Sequence, residues 1–188
     1  MTSPAGLLAL TGVDEARCAA VATLLVEQHG YAVVDLAAGR REALLALDPM
    51  LADDVSLAGL VARYGWATAL ADRRFGPEVV RLDAAYGAAC RSLFGVGAWV
   101  DVAARAVLAH QDTYGDEALV LTGLSQPEEA KWVRAAGGLV WAVQGPGEAH
   151  VRVLPGIVPD VLVTDDATPD ALARRVLRAV RSCAARGR

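Results

Sequence analysis

The residues of this chain best placed to do chemistry stand between Leu7 and Ala22, in the run L-L-A-L-T-G-V-D-E-A-R-C-A-A-V-A. An apolar stretch, Leu7 to Leu10, meets Gly12, and a helical pattern reading V-A-T-L-L-V-E-Q starts near Cys18. Strand, turn and helix at this spacing are the frame of a phosphate-binding loop, G-x-x-x-x-G-K-S/T. In that loop the glycines let backbone N–H groups wrap the phosphates, the lysine reaches the outer phosphates, and the hydroxyl holds magnesium. Counted from Gly12, the second glycine falls on Arg17, the lysine on Cys18 and the hydroxyl on Ala19. The frame is present without its chemistry.

Cys18, beside Arg17 at a helix N-terminus, is a candidate reactive thiol, because the dipole and a positive neighbour favour the thiolate. The plainer expectation outweighs it: a small packed residue filling the space of a vanished phosphate. Arg17 offers an anion its charge, but Asp14 and Glu15 bring negative charge into the same loop. Arg40, Arg41, Arg73, Arg74 and Arg91 are candidates for a residual nucleotide pocket, set against the commoner surface and ion-pair roles of single arginines. The four tryptophans read first as core or interface residues, although Trp66 and Trp99 fall in a helical stretch where a base would dock. His29, His110 and His150 are too far apart to suggest a metal-ligand set. Cys18, Cys90 and Cys183 form neither a disulfide framework nor a zinc pattern and are expected to be reduced.

The elements that must position these residues can be read from apolar periodicity. With 188 residues, 54% of them apolar, the chain can bury a good core and is expected to form one domain. A formal charge of -4 gives no general attraction to nucleic acid or an anionic membrane, so neither is expected as a partner. Apolar runs such as Ala103 to Ala109 are far shorter than the roughly 20 residues of a membrane span, and Met1 to Ala5 lacks the charged start of a signal peptide. A cytoplasmic protein is the expectation.

Strands are predicted at residues 7–10, 32–36, 118–122, 139–143 and 161–164. Between the second and third comes a helical block from about Ser56 to His110: Ser56 to Tyr64 with Ser56 as N-cap, Pro77 to Phe94, and Trp99 to His110. Arg40 to Leu47 reads as a helix stopped at Asp48-Pro49, and Met50 to Ser56 as a polar connection. Further helices start at Pro127 and Pro169, the latter with Leu172, Val176, Leu177 and Val180 on one face. A short extended piece is expected at Val151 to Leu154. The arginines from Arg174 to Arg188 read as a solvated helix face near a favourable C-terminal dipole ahead of a nucleic-acid site. Short buried strands alternating with helices predict an α/β fold of three layers, with a five-stranded parallel sheet and a helical insert over the carboxyl ends of its strands.

Several pieces in order carry a resemblance over nearly the whole chain: L-T-G at Leu10 to Gly12, E-Q-H-G-Y at Glu27 to Tyr31, R-E-A-L-L-A-L-D-P at Arg41 to Pro49, and L-V-A-R-Y-G-W at Leu60 to Trp66. P-E-V at Pro77 to Val79, R-S-L-F-G at Arg91 to Gly95, W-V-D at Trp99 to Asp101, P-E-E-A at Pro127 to Ala130, G-G at Gly137 to Gly138 and D-D-A-T at Asp165 to Thr168 complete the series. With these the sequence resembles the phage-type deoxynucleoside monophosphate kinases, a branch of the P-loop nucleotide kinases. The resemblance implies their fold, and it implies that Gly12, Arg17, Cys18 and Ala19 stand where the family's phosphate loop stands. It also places Arg41, Trp66, Arg91 and Trp99 as the residues left for nucleotide binding.

Against the family pattern, an aspartate on the substrate side has become Ala38, an acidic residue and an arginine after the third strand have become Gly123 and Ser125, and a polar segment before the retained Arg91 reads Tyr86 to Ala88. Phosphoryl transfer is mostly positioning and charge neutralisation, so these losses together strike its main devices. The expectation is a folded kinase relative without catalytic residues, cofactor or metal, binding a nucleotide or a protein and forming a homodimer through the helical insert or the terminal helix. The alternative is an active nucleoside monophosphate kinase that uses ATP and magnesium with replacement residues.

Overall fold

The computed structural model describes residues 6–12, 14–115, 117–145, 155–164 and 169–186. Their chain falls into two compact units, one of residues 1–36 and 102–188 and one of residues 37–101.

The first unit is built on a parallel sheet of five strands: β1 (Leu7–Thr11), β2 (Ala32–Asp35), β5 (Leu119–Thr122), β6 (Leu139–Gln144) and β7 (Val161–Thr164), ordered β2-β5-β1-β6-β7. Leu8 aligns with Val120 of β5 and with Leu139 of β6, so β1 lies at the centre. A strand buried on both faces must be apolar at successive positions, and Leu7 to Leu10 meet that demand. Leu8 and Leu10 join Val120, Trp141 and Val163 in one core, completed by Cys18, Val21 and Leu25 of α1 (Glu15–His29) and by Leu172, Val176 and Val180 of α7 (Pro169–Arg186). Leu7 and Ala9 point the other way, to Leu119, Leu121 and Val140, with Ala103 and Val107 of α5 (Ala98–Tyr114) and Ala130 and Val133 of α6 (Pro127–Ala135). The predicted α/β layering and the five parallel strands are thus present, with strand ends displaced by one residue at most.

The second unit holds α2 (Ala38–Leu47), a two-stranded antiparallel hairpin of β3 (Met50–Ala52) and β4 (Val55–Ser56), α3 (Leu57–Ala71) and α4 (Gly76–Phe94). Leu44, Leu57, Leu60, Ala69 and Val79 form its core, with Leu51 and Val55 packed against them. The hairpin corrects the expectation of a polar connection at Met50 to Ser56: Asp53-Asp54 is its turn, and apolar side chains on both flanks have a core to join. The helix expected over Ser56 to Tyr64 ends there, at Gly65 with its non-helical φ of 77°, and a second helical segment carries α3 on to Ala71. Such a left-handed backbone costs glycine little. Ser56 caps this helix as predicted, accepting from the Gly59 N–H at 3.1 Å. α5 runs four residues beyond His110. The stretch Val151 to Leu154 lies outside the described residues. Among the described residues no single helix is long and apolar enough to cross a membrane.

Candidate functional site

β1 delivers the chain to Thr11, and only residues 12–14 separate it from α1. At Gly12 the backbone passes close to β6: an added Cβ would stand 2.9 Å from the Val143 carbonyl oxygen and 3.2 Å from Cys18 Sγ. Asp14, extended at φ -116° and ψ 103°, is the N-cap. Its carboxylate accepts from the Ala16 N–H at 3.0 Å and the Arg17 N–H at 3.3 Å, and Arg17 Nε donates to its second oxygen at 2.8 Å. The first amides of a helix have no intrahelical acceptor and favour an anion. Here the chain's own carboxylate takes that place. Hydrogen bonding from the Arg17 side chain holds the Asp14 carboxyl below its ordinary range; burial opposes it, and the two backbone amides act in the same sense as Arg17.

Helix α1 therefore starts three residues before the expected Cys18, which places Arg17, Cys18 and Ala19 inside its first turns rather than in a loop. The Arg17 guanidinium lies against Gly145, just past β6, where a side chain would collide with it. Cys18 points into the core, and burial pushes its thiol up to about 11, with the charges of Asp14 and Glu15 acting in the same sense. It is a protonated packing residue at neutral pH, which corrects the reactive-thiol candidacy. Ala19 is exposed on the outer side of the helix.

At the end of β5 the same arrangement recurs. Gly123 turns the chain at φ 72°, and the buried Glu129 carboxylate accepts from the Ser125 N–H at 2.8 Å and the Gln126 N–H at 2.9 Å, closing the start of α6. The hydroxyls of Thr11 and Ser125 are buried without a hydrogen-bond partner among the described residues. Neither Asp14 nor Glu129 was singled out from the sequence as part of the site. The available signals were an aspartate directly before a helix and Pro127-Glu128-Glu129 at a helix start.

The other candidate residues sit in the second unit, in two separate pairs. Arg41 lies over the Trp66 ring at 5.6 Å, a cation–π contact. Arg91 and Trp99 meet at Gly87: the Trp99 indole donates to the Gly87 carbonyl at 3.2 Å, and a Cβ on Gly87 would stand 3.5 Å from Arg91 Nη1. The rings of Trp99 and Tyr86 are 5.9 Å apart. Beneath them Arg40 forms a bidentate pair with Asp83, at 2.8 and 2.9 Å, with side chains only 10% and 17% exposed. Arg74 lies over Phe75 at 4.6 Å, and Arg73 is exposed. No hydrogen bond or ion pair engages the Arg91 side chain among the described residues. Among those residues no three His, Cys, Asp or Glu side chains gather where they could hold a metal ion.

No family model matches the chain, and no curated protein does. Solved structures do resemble it. Dephospho-CoA kinase from Campylobacter jejuni superimposes with a TM-score of 0.51 at 7% identity, covering 97% of this chain and 99% of that one. Shikimate kinase from Aquifex aeolicus gives a TM-score of 0.47 at 12% identity, covering 95% and 98%. The five-stranded parallel sheet flanked by helices is the fold of P-loop kinases.

Proposed function

We propose that this nucleotide kinase-like protein is a relative of the deoxynucleoside monophosphate kinases that transfers no phosphoryl group and keeps the fold as a binding module. The observation that carries the reading is the Asp14 carboxylate on the first amides of α1, paired with Arg17. ATP with magnesium does not fit there: the amides are engaged, an aspartate repels phosphate, Cys18 is buried and protonated, and Ala19 supplies no oxygen. A lysine and a hydroxyl are the groups whose charge and metal contact such a site uses.

The binding half of the proposal rests on the second unit. Arg91 offers a guanidinium without a partner among the described residues, beside the tilted rings of Tyr86 and Trp99, and Arg41 over Trp66 is a second cationic and aromatic pair. A nucleoside monophosphate is the ligand such groups suit. The homodimer belongs to the same proposal: Leu93, Phe94 and Val96, after and at the end of α4, are 76%, 76% and 65% exposed, and contiguous apolar exposure marks interaction sites. Its setting in the cytoplasm is proposed with it.

Isothermal titration with ATP and magnesium, and separately with a panel of deoxynucleoside monophosphates, tests both halves. The expected result is no heat for ATP, with any monophosphate binding abolished by Arg91→Ala. Saturable ATP binding at micromolar concentration would overturn the reading.

A further inference from the structure

The last 18 residues, Ala171 to Arg188, hold six arginines and no acidic residue, in a chain whose formal charge is -4. Within α7 the apolar stripe of Leu172, Val176 and Val180 is buried in the core of the first unit. Arg174, Arg175 and Arg178 are exposed on the remaining face. Residues three and four apart are neighbours on a helix, so Arg178 stands beside both others, with Arg174 one turn and about 6 Å of rise away. Arg175 has a partner within the chain; no hydrogen bond or ion pair engages the Arg174 or Arg178 side chain among the described residues.

A merely solvated face accounts poorly for this arrangement. Solvated helices commonly interleave the two signs, because opposite charges at i and i+4 stabilise them and like charges do not; in α7 Asp170, four residues before Arg174, is the one acidic residue, and none follows it. The helix dipole rewards cations only in the last turn, whereas Arg174 and Arg175 stand in the second turn of an 18-residue helix. Insertion into a membrane is ruled out for the same helix, since the apolar stripe that would insert is already buried. What the exposed face offers is a local positive row on a chain that is acidic overall.

We propose that the exposed face of α7 docks the phosphate backbone of a nucleic acid, without base contacts. The expectation that nucleic acid is no partner rests on net charge, which averages over the whole chain, and on reading these arginines as a solvated face; the proposal rests on the local row. The proposal does not depend on whether the kinase-like site binds a nucleotide.

The test is an NMR titration of the full chain, labelled with nitrogen-15, against a duplex of 16 base pairs, repeated with Arg174→Glu/Arg178→Glu and with Arg73→Glu/Arg105→Glu as a charge-matched control. Two neutralised phosphates predict a salt slope near -1.8, so affinity should fall about tenfold between 50 and 200 mM salt. The expected result is shifts confined to α7, lost in the first variant and kept in the control, with both spectra folded. A thermal melt matching the unaltered protein guards against an unfolded variant. Shifts elsewhere, equal loss in the control, no binding at 50 mM salt, or binding to vesicles of phosphatidylserine and phosphatidylcholine without binding to the duplex would each overturn it.

Discussion

The start of α1 and the surroundings of Gly87 treat their polar groups in opposite ways. At the start of α1 the amides of Ala16 and Arg17 and the Arg17 Nε all turn to Asp14. At Gly87 one arginine, Arg40, is locked to Asp83, while its neighbour Arg91 is left without a partner among the described residues. A helix start that has acquired its own carboxylate becomes a structural cap, worth about 0.5–2 kcal/mol. An arginine held in place with its charge unspent remains available to a ligand. The same fold thus holds one end that has turned inward and one cluster that has not.

The largest effect is expected where the open cluster rests on its buried pair. Arg40→Ala leaves the half-buried Asp83 without its counter-charge, which costs about 3 kcal/mol, the low end for breaking a buried pair; urea denaturation should show this loss, and Arg91→Ala should show almost none. If the two variants are equally destabilised, Arg91 is structural and the contrast with Arg40 disappears. Next comes Gly12→Ala. Its Cβ would press on the Val143 carbonyl of β6, and overpacking of this kind costs about 1–3 kcal/mol, read as a lower midpoint in the same experiment.

These two positions also show what the sequence could and could not disclose. The sheet is legible because its three central strands, buried on both faces, need unbroken apolar runs, and Leu7 to Leu10, Leu119 to Leu121 and Val140 to Val143 supply them. The start of α1 is less legible, because the phosphate-loop spacing from Gly12 points to Cys18, whereas the cap is Asp14, whose carboxylate takes the first amides. The β3–β4 hairpin was missed because its two-aspartate turn dominates a seven-residue stretch. The meeting of Arg91 with Trp99 through the Gly87 carbonyl, and the Arg40–Asp83 pair 43 residues apart, are products of helix packing. No spacing along the chain encodes them.

A smaller effect separates Asp14 as cap from Asp14 as bystander. Because Arg17 and the amides hold its carboxyl below the ordinary value of 3.8, it contributes stability that is full above that pH and is lost as the pH falls through the lower folded-state value. Asp14→Asn should flatten that part of the acid limb; an unchanged acid limb would mean that the contact does not persist in solution. Smallest is the behaviour of Cys18. With Cys90 and Cys183 replaced by serine, the folded protein should react with a thiol reagent at pH 8 far more slowly than the unfolded chain, since its thiol is buried and titrates near 11. Rapid reaction would reopen the case for a functional thiolate.

Restoring the helix start sharpens the comparison further. Arg17→Gly, Cys18→Lys and Ala19→Ser should recover little nucleotide binding while Asp14 stays on the amides, and more once Asp14→Gly is added. Binding should return before turnover, because Gly123 and Ser125 at the end of β5 supply no charged side chain to the developing charge.

The central claim, that the inward-turned end of the sheet no longer supports phosphoryl transfer, is tested most directly by following labelled γ-phosphate from ATP to each deoxynucleoside monophosphate with purified protein and magnesium. The account predicts no transfer above the protein-free background. Turnover of about 1 per second or faster, the low end for kinases, abolished by Arg17→Ala and absent from a mock purification, would show that replacement residues do the chemistry and would contradict it.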